Sequence, residues 1–412
     1  MTGSLTARRT LISLLVISVV HGINHLFGIF LSPLNEEIRI YFGAGSISAI
    51  TAFKTTYLFI YALSNLGAGI LANRVSARRV LAMGMVINGA AIAGFAMVPP
   101  DALGLMHLLW ALAGIGGGVY HPLAMTLVTH NFPNRKRWAL GITGIGSGLG
   151  FAFGPLISSL LARGLGLSWQ ELALLFGIGG AAFAVVTYFF VVDATEGGAP
   201  EPGPSAAAAP GDREPPGTVS AVAWGFLFAV ILIAGTREIA MWTILDISDF
   251  YLVRSFAGVA PTGLYLFFLY IPGIIVQPII GSLSDKVNRN RVAAISLGIY
   301  GLAVTALALA PVSLLWMAYL TLGAAQGATV PTIDAIVADA TPKRGRGMAF
   351  GVTITFGIGL GALGPLTFGL VVDAMGGTIE SFQLSFLALS ALCLAGAIAM
   401  LFVKRRRLPS HV

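Results

Sequence analysis

Two histidines and an asparagine stand at His21, Asn24 and His25 inside a run of apolar residues. The spacing i, i+3, i+4 puts all three on one face of a helix. Gly28 and Ser32 extend the stripe. Histidine titrates near neutral pH, so this pair can carry a proton. The same pair can also be satisfied by backbone carbonyls and serve helix packing. Local spacing supplies no third ligand, so no metal is expected. Further along, His121 follows Tyr120 and precedes Pro122. The proline removes a backbone donor and frees a carbonyl, which His121 is placed to satisfy. His121 is otherwise a further proton carrier.

Arg237 and Glu238 lie inside another apolar run. Arginine cannot shed its proton, so it must be paired or face water. Its planar fork suits a carboxylate, phosphonate or phosphate. Glu238 points about 100° away around the helix, so the two are not expected to pair. A structural reading pairs Arg237 with Asp334, or Glu238 with Lys54. Trp242 is one turn from Glu238 and could wall a pocket, and Gln326 adds a polar group. Lys54 is followed by Tyr57, Tyr61 and Asn65. That row could guide an anion inward, or Lys54 could snorkel to the surface. Asp334 follows Pro331 and reads as a proton site or a gate; Asp339 reads as interfacial. The candidate solute-binding set is thus Arg237, His25, Lys54, Tyr57, Asn24, Tyr120, Gln326 and Trp242. The candidate proton carriers are His21, His25, His121, Glu238 and Asp334.

The elements that must hold these residues follow from composition. Of 412 residues, 56% are hydrophobic and only 10% charged. Soluble domains carry about 25% charged residues, so this chain cannot coat a water-exposed surface. Apolar runs of about twenty residues are long enough to cross a bilayer core as helices. Twelve spans are expected, near 11–33, 47–72, 79–98, 103–130, 138–162, 171–192, 219–246, 259–284, 291–310, 313–339, 346–372 and 381–403. Residues 193–218, rich in Pro, Gly, Ala and acid, read as a flexible linker. The expected units are a six-helix bundle at 1–192, the linker at 193–218, and a second six-helix bundle at 219–412.

Basic clusters fix the orientation. Arg8 and Arg9, Arg74 to Arg79, Arg135 to Arg137, Lys286 to Arg291, Lys343 to Arg346 and Lys404 to Arg407 all fall on one side of alternating spans. The opposite loops hold only Arg39, Arg163 and Arg254. The positive-inside rule then puts both termini and the linker in the cytoplasm, at the cytoplasmic membrane. The net charge of +7 is a topology signal rather than a nucleic-acid footprint. A single cysteine, Cys393, excludes an intramolecular disulfide and a cysteine metal cluster.

The halves repeat. GITGIGSGLGFAFGPLISSL from Gly141 matches GVTITFGIGLGALGPLTFGL from Gly351, with Gly154-Pro155 and Gly364-Pro365 in register. GILANRVSARR from Gly69 matches GSLSDKVNRNR from Gly281. Parallel six-span halves suit a central cavity that opens to alternate sides. These features resemble the major facilitator superfamily across nearly the whole chain. The loops resemble its Gly-x-Leu-x-Asp-basic signature: Gly281, Leu283, Asp285, Lys286 and Arg289 in the second copy, Gly69, Leu71, Arg74 and Arg78 in the first. Asn73 replaces the first acid, and Ser76 and Asn288 replace glycines. The resemblance implies an inner gate built from these residues, leaning on Asp285. Gly150-x-x-x-Gly154-Pro155 is similar to the fifth-span motif frequent in antiporters; small-residue packing is the other reading. Tyr120-His121-Pro122, Arg237 and Gly369-x-x-x-Asp373 resemble a fosmidomycin-resistance branch that exports a phosphonate.

The resemblance implies that spans one, four, seven and ten line the cavity, where the titratable residues concentrate. It implies proton-coupled transport of a small, anionic organic solute, export by antiport leading. Proton-symport uptake of a carboxylate is the alternative, and a non-transporting sensor a remote one. The chain has no Walker loop, so neither direct ATP coupling nor an enzyme is expected. Expected partners are solute, protons and lipid, with a functional monomer and no cofactor.

Overall fold

A computed structural model describes residues 2–71, 76–193, 221–284, 286–341 and 346–403. Asn73, Arg74, Asp285 and the linker beyond Asp193 therefore lie outside the described residues. The regular elements of the described residues are all helices, without a strand. The helices are α1 (Thr2–Ile29), α2 (Asn35–Tyr41), α3 (Ser48–Leu71), α4 (Ala77–Gly94), α5 (Leu103–Gly118), α6 (Tyr120–Asn131), α7 (Lys136–Leu165) and α8 (Trp169–Phe190). After the linker come α9 (Ala221–Ser255), α10 (Thr262–Ser284), α11 (Arg289–Leu309), α12 (Leu315–Ala340), α13 (Arg346–Ala374) and α14 (Ile379–Phe402). α2 is a short extension of the first span. α5 and α6 form the fourth span, interrupted at Val119.

Ten of the expected twelve spans are apolar and long enough to cross a membrane by composition alone, among the described residues. The remaining two are α3 and α12, at 24 and 26 residues. They carry Lys54 and Asn65, and Gln326 and Asp334, respectively. Such groups lower the mean hydropathy of a span, and Lys54 and Asn65 are buried against neighbouring helices.

α1 packs on α7, α4 on α8, and α3 on α5. In the second half α10 packs on α12, α11 on α14, and α9 on α13. The halves meet along two seams, α3 against α13 and α7 against α10.

Small residues set the closest approaches. A Cβ on Gly146 would lie 2.0 Å from the Ser18 carbonyl oxygen, and one on Gly150 would lie 2.1 Å from that of Gly22. The α1 and α7 backbones touch there, as membrane helices do when Gly removes the side-chain spacer. Packing is therefore the role the structure shows for the Gly-rich motif of α7. Across the α7–α10 seam, a Cβ on Gly263 would lie 2.5 Å from the Pro155 carbonyl oxygen.

At the α3–α13 seam Thr55 enters the other half's helix. Its hydroxyl donates to the Ala362 carbonyl at 2.7 Å and accepts from the Leu366 N–H at 3.2 Å. Those two groups are the acceptor and donor of one helical rung, beside Pro365.

The two departures from glycine in the repeated loops have a shared explanation. Ser76 is the N-cap of α4, accepting from the Arg79 N–H at 3.3 Å. Asn288 is the N-cap of α11, accepting from the N–H groups of Asn290 at 3.1 Å and Arg291 at 3.3 Å. Ser and Asn cap helices with a side-chain acceptor, which glycine cannot supply.

Candidate functional site

The polar face of α1 meets α6 and α7. His21 Nδ1 lies 2.8 Å from the Thr143 carbonyl oxygen, and His25 Nε2 lies 3.0 Å from His21 Nε2. A carbonyl only accepts, so His21 Nδ1 carries the hydrogen. With both rings neutral, His21 presents a bare Nε2 and His25 donates to it. His25 can then take a proton at Nδ1 without losing that bond. The Tyr120 ring stacks on His21 at 4.4 Å, and Phe151 stacks on His25 at 4.1 Å.

His121 sits against the same pair, its ring 5.1 Å from His21 and 5.6 Å from His25. The structure thus corrects two expectations. His121 turns its ring to the histidines rather than to the ladder broken by Pro122. It also supplies the third nitrogen that local spacing on α1 lacked: one ligand atom from each of the three histidines lies within 4.8 Å of the others.

Asn24 and Tyr120 are committed to this half. Asn24 donates to the Tyr61 hydroxyl at 3.0 Å and accepts from Asn88 at 3.3 Å. Tyr120 donates to the Ile17 carbonyl at 3.0 Å and is 3% exposed. Tyr120 thereby braces His21, and Asn24 ties α1 to α3 and α4.

Arg237 is buried on α9 and pairs with Glu238. This corrects the expectation that neighbours 100° apart would not pair. That argument follows the Cβ direction, whereas the long arginine side chain reaches around the helix. The Arg237 Nε and Nη1 atoms are buried without a hydrogen-bond partner among the described residues. Asp334, on α12, lies within electrostatic range of Arg237 and Glu238 without pairing, and it is exposed. Tyr270 and Tyr300 are also within range, and their hydroxyls, like Trp242 Nε1, are buried and unpartnered. Gln326 donates to Met241 Sδ at 2.6 Å, leaving its Oε1 unpartnered. Unmatched Tyr270 and Tyr300 hydroxyls within range of a guanidinium that is itself only partly matched make a chemically unfinished site.

Phe151 joins the two clusters. Besides stacking on His25, it stacks on Tyr270 at 4.7 Å and approaches Trp242 at 6.1 Å. Neither Phe151 nor Tyr270 stands out in the sequence, because aromatic residues in apolar spans usually signify packing.

Lys54 does not snorkel. It is 4% exposed, donates to the Gly28 carbonyl and lies 5.3 Å from the Trp110 ring centroid. Tyr57 packs on the same Trp110 at 5.4 Å. Asp246 is the acid whose field reaches Lys54, so no pair with Glu238 forms.

The end away from the chain termini is closed by contacts that the sequence reading missed. Asn35 donates to the Asp246 carbonyl at 2.7 Å and to its carboxylate at 3.2 Å. The Glu36 N–H donates to Asp249 at 2.9 Å, and Arg254 lies 3.7 Å from Glu36. Asp373 accepts from the N–H groups of Ile47 and Ser48, each at 2.8 Å. The signal was present: Asp246 and Asp249 are acids three apart inside a long apolar helix.

At the opposite end Arg289 pairs with Asp339 at 2.5 Å, so Asp339 is a structural partner of the loop. Arg78 lies over the Tyr188 ring at 5.2 Å, and Lys286 is exposed.

Comparison with known proteins agrees with this architecture. The family model described as Major Facilitator Superfamily matches residues 13–259 and 226–412. The multidrug resistance protein MdtG of Dickeya zeae is 27% identical over 372 residues, covering 86% of this chain and 84% of that protein. The oxalate:formate antiporter of Oxalobacter formigenes is 28% identical over 171 residues, covering 40% of this chain and 39% of the relative, so the match spans well under half of either. The crystal structure of a bacterial homolog of the human lysosomal transporter Spinster, titled inward-facing and occupied, superposes with a TM-score of 0.77 at 15% identity, covering 96% of this chain and 98% of that one. With a family model matching along nearly its whole length and a two-bundle helical fold to go with it, this chain belongs to the Major Facilitator Superfamily and is a multi-pass membrane transporter, not an enzyme.

Proposed function

We propose that the protein exports a small anionic organic solute in exchange for protons, with Arg237 binding the anion and the His21–His25 pair carrying the proton. The buried guanidinium of Arg237 carries this reading, since among the described residues only Glu238 pairs with it while Nε and Nη1 stay unmatched. Burying such donors is costly, and a carboxylate or phosphonate would match them with charge-assisted bonds. The relatives named for oxalate:formate antiport and multidrug resistance support exchange and export.

Alternating access follows from two bundles meeting at two seams. Solute entering from the cytoplasm would meet Arg237 and displace part of its bond to Glu238. His25, held by His21 and covered by Phe151, would load and unload its proton across the aromatic partition from the anion.

The test is binding and transport by Arg237→Lys and Arg237→Ala in proteoliposomes with an imposed pH gradient. Arg237→Lys keeps the charge but loses the fork, so solute affinity should fall at least about tenfold, roughly 1.4 kcal/mol. Arg237→Ala should abolish binding with the protein still folded. If Arg237 only balances Glu238, Arg237→Ala should lose stability and Arg237→Ala with Glu238→Gln should regain transport, which would reject the ligand role. Replacing the proton-carrying histidine by Gln should abolish gradient-driven transport and spare solute exchange. Normal gradient-driven transport in both His21→Gln and His25→Gln would move the proton to Glu238 or Asp334.

A further inference from the structure

We propose that His21, His25 and His121 form a binding site for a divalent transition-metal ion of the Zn2+ class. Three observations converge. First, ligand nitrogens of all three rings lie within 4.8 Å of one another. Tetrahedral zinc with Zn–N bonds of about 2.0–2.1 Å sets its nitrogens about 3.3 Å apart. His21 Nε2 and His25 Nε2 are already 3.0 Å apart, so closing the set takes a shift of roughly 1.5 Å in one imidazole.

Second, the Thr143 carbonyl holds His21 Nδ1. Metal-bound histidines are aimed in this way, with one ring nitrogen on a backbone carbonyl and the other on the ion. Tyr120 and Phe151 stack on His21 and His25, fixing their ring planes. The three ligands come from α1 and α6, so a metal would clamp the first and fourth spans together.

Third, the donor set is selective. The titratable groups that face it are Tyr61 from α3 and Tyr120 from α6. From α7 it meets Thr143 and Phe151, and no carboxylate joins the cluster among the described residues. Three imidazoles without a hard oxygen anion favour Zn2+, Co2+ or Cu2+ over Mg2+ and Ca2+. His25 and His121 are only half-buried, leaving an approach for the ion. Three protein ligands also leave a fourth position for water or an anion.

Metal and proton would compete for the same nitrogens, because only unprotonated imidazole ligates. The site itself does not depend on the proton-coupling proposal, and the test reads binding alone. Purified, untagged full-length protein is titrated with Co2+ at pH 8 and followed by visible absorption. One equivalent should give the strong d–d bands of a four-coordinate ion, and Zn2+ should bleach them. His25→Gln and His121→Gln should each weaken affinity at least about tenfold, whereas His107→Gln and His130→Gln should leave it unchanged. Affinity should also fall as the pH is lowered from 8 to 6. Melting curves without metal check that each variant is folded, and His121→Ala is the second variant should His121→Gln retain a ligand. Absence of the bands, or bands that survive both His25 and His121 substitutions in folded protein, would overturn the site.

Discussion

The Asp373 carboxylate sits on the N-terminus of α3, where it takes the backbone N–H of Ser48 with one oxygen and that of Ile47 with the other. The unsatisfied N–H groups and the positive end of the helix dipole both favour an anion there. Asp373 belongs to the second half and α3 to the first, so this contact is a bond between the halves. Gly369, one turn earlier, makes room for it: a Cβ there would lie 2.3 Å from Thr51 Oγ1 and 3.0 Å from the Ser48 Cα.

Asp373→Asn removes the charge and one of the two acceptors. Closure of the end away from the termini should weaken by about 1–2 kcal/mol. Spin labels at Ile40 and Val259, both strongly exposed on opposite halves, report that gap. The longer-distance population should grow; an unchanged distribution would remove Asp373 from the closure.

Gly150→Ala forces a methyl group to within 2.1 Å of the Gly22 carbonyl oxygen. Two backbones would have to separate, and overpacking of this kind costs about 1–3 kcal/mol. The melting temperature should drop clearly in Gly150→Ala. Gly141→Ala, where nothing lies within 4 Å, should melt like the parent protein.

Asn288→Ala should destabilise the start of α11 by about 1 kcal/mol, and Asn288→Gly by only a few tenths. Hydrogen exchange at the Asn290 and Arg291 amides should quicken more in the alanine variant. Ser76→Ala should have the larger effect, because Ser76 also bonds Asp193 at the end of the first half.

Topology is tested by impermeant thiol reagents. Ser205→Cys in the linker should react only from the cytoplasmic side, and Asp101→Cys only from outside. Cys393 is buried, so it should contribute no background. The reverse pattern would invert the orientation drawn from the basic loops.

The helices and the twofold repeat were legible because apolar run length, basic loops and the Gly-Pro register are local properties of the chain. The α1 stripe was legible for the same reason: one helical turn relates His21, Asn24 and His25. The third histidine was not, since only the packing of α6 on α1 brings His121 to that stripe. The Arg237–Glu238 pair was misjudged because helical phase describes where a side chain starts and not where a long one ends. The closure by Asn35, Asp246 and Asp249 depends on two halves meeting, which no periodicity within either half encodes.

Thr55 gives the rocking of the halves a direct reading in helix shape. Its hydroxyl bonds both Ala362 C=O and Leu366 N–H, so the first half holds both ends of one rung of α13. If the seam parts there, Thr55 leaves and those two groups have only each other, so the helix beside Pro365 is free to change its curvature. Translation between bundles is thereby converted into curvature within a single helix. α13 would act as a leaf spring whose bend records the distance between the bundles, and neither half could hold that shape alone.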